Sequence, residues 1–404
     1  MRETAVRETA VREPGRAGSG RRTVAVLGMG VLAIGTDMFV VAGILGGIAA
    51  DLGVTVGSAG LAVTVFALTY ATGAVLLAPF LSAQPPRRVL VVSAAAFAVM
   101  NVLSALAPTL PALLAARVLS ALAASAFVPA AAGAAVAAAT ASRRGRALGT
   151  VVGCMSAATV LGAPAGVLLA SASTWRAALA LPAVLAAATV AGLVLTRDAS
   201  SRAAEPVARC RAAARERLLP LASPAVAATL AVTFLLMTAS YSTYTYLPLL
   251  LSDATVPPGS GLFIAVFGLA GIAGTWWGGR AADRRGPGRV VGPAVAVSAA
   301  AFAALPHTSS TGVAAAVVVA GWGTAVWGFV PAQQHRLIGL CTAAPPLLLA
   351  LHSGAVHLGS AAGSLLGGLV VDSAGAGRLW TVAVFCCGAA WVVHTALARK
   401  EDRS

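Results

Sequence analysis

Long apolar runs separated by short polar stretches make up the chain from residue 23 onward. Twelve runs match or approach the roughly 20 apolar residues that a helix needs to cross a bilayer. They fall at about 23–49, 58–81, 89–107, 112–138, 147–171 and 176–196, then about 224–251, 260–279, 290–306, 312–333, 346–371 and 378–398. Arg, Pro or Asp bounds most of them. Pro129, Pro164, Pro248 and Pro331 interrupt four runs, which a membrane helix tolerates when neighbouring helices satisfy the freed carbonyls. The pattern predicts an all-α integral membrane protein with twelve transmembrane helices.

A polar, Arg-rich stretch at 197–223 divides these runs into two sets of six. The expected organisation is a disordered tail (1–22), a six-helix bundle (23–196), a central loop (197–223), a second six-helix bundle (224–398) and a short tail (399–404). The pentad Arg-Glu-Thr-Ala-Val occurs at both 2–6 and 7–11, a small tandem duplication within the first tail. An offset of about 201 maps the first half onto the second. Asp51 then corresponds to Asp253, Arg88 to Arg289 and Gly162 to Gly363. Six spans are an even number, so both halves start on the same side. The bundles are therefore parallel repeats about a pseudo-two-fold axis along the membrane normal, as in alternating-access carriers with a site between bundles.

Composition agrees with the pattern. Of 404 residues 58% are hydrophobic and 10% charged, against about 25% charged in soluble domains. This excludes a soluble enzyme, a disordered chain and a disulfide-framed secreted domain. The net charge of +15 acquires its meaning from position. Of 28 basic residues, 25 fall in alternate loops, with Arg336 counted as following the tenth span. Arg176 and Arg378 lie opposite and Arg117 lies inside a span. By the positive-inside rule both termini and the central loop are cytoplasmic, in a multi-pass protein of the cell membrane. The charge is a topology signal, and no nucleic-acid partner is expected. The first span lacks a cleavage site and opens a series of spans, unlike a signal peptide. The five cysteines show no metal or redox spacing. There is no phosphate-binding Gly-Lys loop and no nucleophile–base constellation, so ATP-driven transport finds no support and no enzyme, metal or organic cofactor is expected.

Asp37 is the acidic residue placed well inside a span. An ionised carboxylate at the bilayer centre costs about 2.5–3.5 kcal/mol, and such residues usually face a cavity or the bundle interior. Withdrawal from water favours the protonated carboxyl, so a proton could load from one side and leave to the other. A structural alternative is an Asp hydrogen-bonded to backbone at a helix break. Arg117 is its candidate partner, either tuning the carboxyl or snorkelling to the interface. Tyr241 and Tyr244 share a helix face and either line a pocket or anchor at the membrane surface. His352 and His357, five residues apart, do not form a metal pair and are read as titratable or packing groups. Gly153, Gly162, Pro164 and Gly166 suit close helix packing with a bend. Asp283, Arg284, Arg285 and Arg289 form a short cytoplasmic turn preceded by Gly279 and carrying Gly286-Pro287-Gly288, in which Asp283 can cap a helix or pair with Arg, while the arginines mark topology.

These segments resemble the major facilitator superfamily, and within it the twelve-span drug:proton antiporters of the chloramphenicol and sugar efflux type. The resemblance runs from about residue 23 to 398. It is carried by "GTDMFVVAGILGGIAADLG" (35–53), "RVLSALAAS" (117–125), "GCMSAATVLGAPAG" (153–166) with Trp175-Arg176, and "GRAADRRG" (279–286). The first-half loop "PFLSAQPPRR" (79–88) keeps the two arginines but has Ala83 and Gln84 in place of Asp and Arg. The resemblance implies two six-helix bundles, an Arg at position 117 in the proton path, a fifth helix at the seam between halves and a gating latch at Asp283. The activity this resemblance implies is export of a small molecule in exchange for protons, driven by the proton gradient, by a monomer in the lipid bilayer. Uptake of a sugar or metabolite on the same fold is the first alternative, and a non-transporting receptor or scaffold the second. Antibiotic, sugar, amino-acid derivative and biosynthetic product all remain open as substrates.

Overall fold

The structure, a computed structural model, describes residues 14–81, 83–139, 143–196, 223–252, 260–308, 311–340 and 345–401. The first tail up to residue 13, the central loop before Ser223, Asp253 and residues 402–404 lie outside the described residues. Among the described residues, twelve helices are long and apolar enough to cross a membrane. They are α1 (Gly20–Leu52), α2 (Val56–Leu76), α3 (Pro86–Ala105), α4 (Leu110–Ala138), α5 (Arg144–Ala172) and α6 (Trp175–Leu195) in the first half. The second half holds α7 (Pro224–Tyr244), α8 (Gly261–Arg285), α9 (Gly288–His307), α10 (Gly312–Leu340), α11 (Leu347–Ala374) and α12 (Ala376–Arg399). Successive spans reverse direction, so both termini share one end of the molecule. The other end, carrying the α1–α2, α5–α6, α7–α8 and α11–α12 connections, is termed the distal end.

Helix ends depart from the apolar runs where backbone and hydropathy disagree. The first helix begins at Pro14, inside the stretch expected to be disordered; proline suits the first turn of a helix, where its missing N–H is not needed. The eighth run ends near 279, yet the helix continues to Arg285 and carries Arg280, Asp283 and Arg284 in its last turns. It stops at Gly286, whose φ of 84° is left-handed and suits glycine. Arg336, expected in a loop, lies within α10 and is buried, with Nη1 3.2 Å from His394 Nδ1.

The first half packs around Leu27, Ile34, Phe66, Phe97 and Phe127. A second core runs from Phe39 and Trp175 across the seam to Tyr244, Trp322 and Phe329. The seam is made by α2 against α11 and by α5 against α8. Small residues permit these approaches. Gly268 of α8 faces α5 so closely that a Cβ on it would lie 2.8 Å from the Thr159 carbonyl oxygen, which leaves no room for a side chain. Pro164 is accommodated by a π-helical turn over Ala158–Gly162. There the Ala163 N–H reaches back to the Ala158 carbonyl, which widens the helix where proline would otherwise clash.

Candidate functional site

Asp37 and Arg117 meet in the interior of the first half. Arg117 Nη1 donates to Asp37 Oδ1 at 2.5 Å, and both side chains are sealed from solvent. Asp37 lies fifteen residues from the distal end of α1 and Arg117 seven from the start of α4. The stagger of the helices and the reach of the guanidinium take up that difference. The guanidinium also lies over the Phe66 ring, 4.4 Å from its centroid, an arrangement that favours a desolvated cation. Asp37 Oδ2 and Arg117 Nε have no hydrogen-bond partner among the described residues. A buried polar atom without a partner costs about 1–3 kcal/mol, more when charged.

The residues flanking Asp37 connect it to the rest of the molecule. Thr36, with an unpartnered hydroxyl, packs on Gly162 of α5, and Val40 packs on Gly166; a Cβ at either glycine would run into these side chains. Gly153 is different: it is exposed, and a Cβ there meets nothing within 4 Å. Phe39 crosses the seam. Its ring lies edge-on to Tyr244 at 6.1 Å and tilted against Trp327 at 6.2 Å, and its carbonyl accepts the Tyr244 hydroxyl at 3.4 Å. Tyr244 continues into Phe267 at 5.0 Å, and Phe267 into Trp322 at 4.6 Å. Tyr241 lies 5.9 Å from Tyr244 and is only partly buried, and the Trp327 indole N–H has no partner among the described residues. Tyr244 is packed between helices, not spread at a membrane surface. The sequence does not single out Phe39, Phe267, Trp322 and Trp327 as a group, because their only linear signal is an aromatic in an apolar run.

The two histidines separate. His352 is buried, and neither ring nitrogen has a partner among the described residues. His357 bonds the Ser353 carbonyl through Nδ1 at 2.8 Å and stacks on Tyr70 of α2, ring centroids 4.3 Å apart, joining the halves. Asp283, Arg284 and Arg285 are exposed, and Asp283 makes no hydrogen bond or ion pair with a described residue. A Cβ on Gly279 would lie 4.0 Å from Pro331. In the degenerate first-half loop, Arg87 donates to the Leu193 carbonyl at 3.2 Å and Arg88 to Gln84 at 3.4 Å. Arg87 thereby caps the carbonyl end of α6, a favourable place for a cation. At the distal end Asp51 accepts from the Trp175 indole at 3.2 Å and pairs with Arg176, tying α1 to α6. No group of three His, Cys, Asp or Glu among the described residues is placed to hold a metal ion.

Comparison with known proteins places this geometry. The family model described as Major Facilitator Superfamily matches residues 25–344. The chain is 28% identical over 382 residues to the inner membrane transport protein YdhP of Escherichia coli, covering 94% of this chain and 96% of that one. It is 31% identical over 368 residues to a chloramphenicol resistance protein of Streptomyces lividans, covering 88% and 91%. Among solved structures, the nucleoside transporter NupG superposes with a TM-score of 0.74 at 13% identity, covering 94% of this chain and 98% of that one. A bacterial homologue of the human lysosomal transporter Spinster, inward-facing and unoccupied, gives 0.70 at 16% identity, covering 96% and 98%.

Proposed function

The chain belongs to the major facilitator superfamily of membrane transporters, and from that premise we propose that it exports a small, uncharged aromatic or amphiphilic compound in exchange for protons. The observation that carries this reading is the sealed Asp37–Arg117 pair, whose Oδ2 has no partner among the described residues. With the carboxylate ionised, the pair holds α1 against α4. A proton taken up at Oδ2 neutralises Asp37, removes the charge attraction and frees α1 to shift, while Arg117 keeps its own proton throughout. Two residues further on, Phe39 is seated in the second half between Tyr244 and Trp327. One helix thus carries both the proton site and an aromatic contact across the seam, so titration at one biases the other.

The aromatic lining argues for the substrate class. Phe39, Tyr241, Tyr244 and Trp327 supply ring faces, and the Trp327 N–H, without a partner among the described residues, supplies a polar atom. The charges beside this lining, Asp37 and Arg117, neutralise each other, which disfavours a strongly charged substrate. The relationship to a chloramphenicol resistance protein supports export and makes chloramphenicol the first compound to test. Under this reading the termini face the cytoplasm and the distal end faces outward, as the arginine distribution implies. A pH unit supplies about 1.4 kcal/mol per proton and each 100 mV about 2.3 kcal/mol per charge.

The deciding experiment uses proteoliposomes with an imposed pH gradient and labelled chloramphenicol within a panel of aromatic compounds. Gradient-driven transport is expected in the wild type and lost in Asp37→Asn, with exchange of labelled for unlabelled substrate retained. Gradient-driven transport undiminished in Asp37→Asn would remove the assignment.

A further inference from the structure

Asp372 lies at the distal end of α11, three residues before Gly375, and faces the start of α2 in the other half of the chain. Its Oδ1 accepts the Gly57 N–H at 3.0 Å and its Oδ2 accepts the Thr55 hydroxyl at 2.7 Å. Thr55 is at the same time the N-cap of α2, accepting the Ser58 N–H at 3.1 Å. The first turn of α2 is therefore capped twice, once by its own Thr55 and once by a carboxylate 315 residues from Gly57. A carboxylate against free N–H groups at a helix N-terminus is the favourable arrangement of charge and helix dipole. Such charge-assisted bonds are about twice as strong as neutral ones.

The contact requires glycine. A Cβ on Gly57 would run into the Asp372 carboxylate and lie 2.5 Å from the Gly368 carbonyl. One turn along, the Gly60 carbonyl accepts the Ser364 hydroxyl at 3.1 Å, and the Ser364 carbonyl accepts the Tyr246 hydroxyl at 2.9 Å. The distal ends of α2 and α11 are thus held by a carboxylate at the rim and hydroxyls beneath it. Asp372 is exposed, so water can solvate it once the helices part, which makes the contact reversible.

We propose that Asp372 is a positioning residue that latches the distal cleft by capping the N-terminus of α2 from the opposite half. The latch must open each time the distal end opens and reform each time it closes. This rests on the reading of the chain as an alternating-access carrier, but its test needs neither substrate nor proton gradient.

The experiment places a reporter cysteine at Val63, buried on α2 just below the latch, in full-length protein whose five native cysteines are replaced by Ala. The rate of modification by a maleimide is followed in detergent or nanodiscs. Asp372→Ala is expected to raise that rate on the order of tenfold, Asp372→Asn to raise it less, and Asp372→Glu to restore most of the protection. Gly57→Ala, which obstructs the same contact from the α2 side, is expected to raise it independently. In a double-mutant cycle the two effects are expected to be non-additive, since either change alone releases the latch. An unchanged rate in both Asp372→Ala and Gly57→Ala overturns the proposal, as does full additivity. Thermal unfolding of each variant separates opening of the cleft from loss of the fold. Failure of the Asp37→Asn transport test leaves this outcome unaffected.

Discussion

Asp37 and Arg117 form a contact of 2.5 Å between α1 and α4 in which one carboxylate oxygen is bound and the other is left without a partner among the described residues. Removing one member of a buried pair strands the other charge and costs about 3–5 kcal/mol, whereas removing both is far milder. Arg117→Ala is therefore expected to lower thermal stability in detergent strongly. The combination of Asp37→Asn with Arg117→Gln is expected to recover most of that loss while gradient-driven transport stays absent. Thermal unfolding and proteoliposome transport on the same preparations check both statements.

On α5, Gly162 and Gly153 are expected to respond in opposite ways. Gly162→Leu drives a side chain into Thr36, and overpacking of this kind costs roughly 1–3 kcal/mol. Gly153→Ala meets open space and gains helix propensity, so stability rises by up to about 1 kcal/mol with transport retained. Unfolding temperatures of the two variants test the contrast.

His352 is buried, and neither ring nitrogen has a partner among the described residues. Replacing an unsatisfied buried polar group by an apolar one of similar size is expected to stabilise by about 1–3 kcal/mol. His352→Leu should accordingly unfold at a higher temperature. A simultaneous drop in transport is expected if the imidazole serves the substrate, and the KM for an aromatic substrate would report it.

The aromatic bridge gives a prediction about selectivity. Trp327→Phe keeps a ring against Phe39 and Phe267 but removes the N–H, which has no partner among the described residues. It is expected to leave stability nearly unchanged and to raise KM for substrates with a hydrogen-bond acceptor about fivefold to tenfold. Substrates lacking an acceptor should be transported as before, which a paired comparison in proteoliposomes measures.

Gly286→Ala places a side chain on a residue at φ 84°. The left-handed conformation costs an L-residue roughly 1–2 kcal/mol, and unfolding measurements should show a loss of that size. The neighbouring Asp283→Asn is expected to leave stability unchanged, because Asp283 is exposed and makes no bond to a described residue.

The sequence by itself determined the number of spans and marked Asp37 and Arg117 as charges within them. These are properties of solvation, and solvation is readable along a single chain: an apolar run must leave water, and a lone charge within it must be compensated. The tertiary structure decided who compensates whom. That Arg117 reaches Asp37, that Phe39 crosses to Tyr244 and Trp327, and that Asp372 caps α2 all depend on the rotation and stagger of helices. Those quantities are set by where glycine and alanine let backbones approach, and hydropathy carries no record of them. Arg336 shows the same limit from the other side. Near the end of an apolar run an arginine reads as a loop residue, but the helix continues past it and the guanidinium reaches His394 of α12. Hydropathy reports how far a residue lies from water, and only the packed helices report what it lies against.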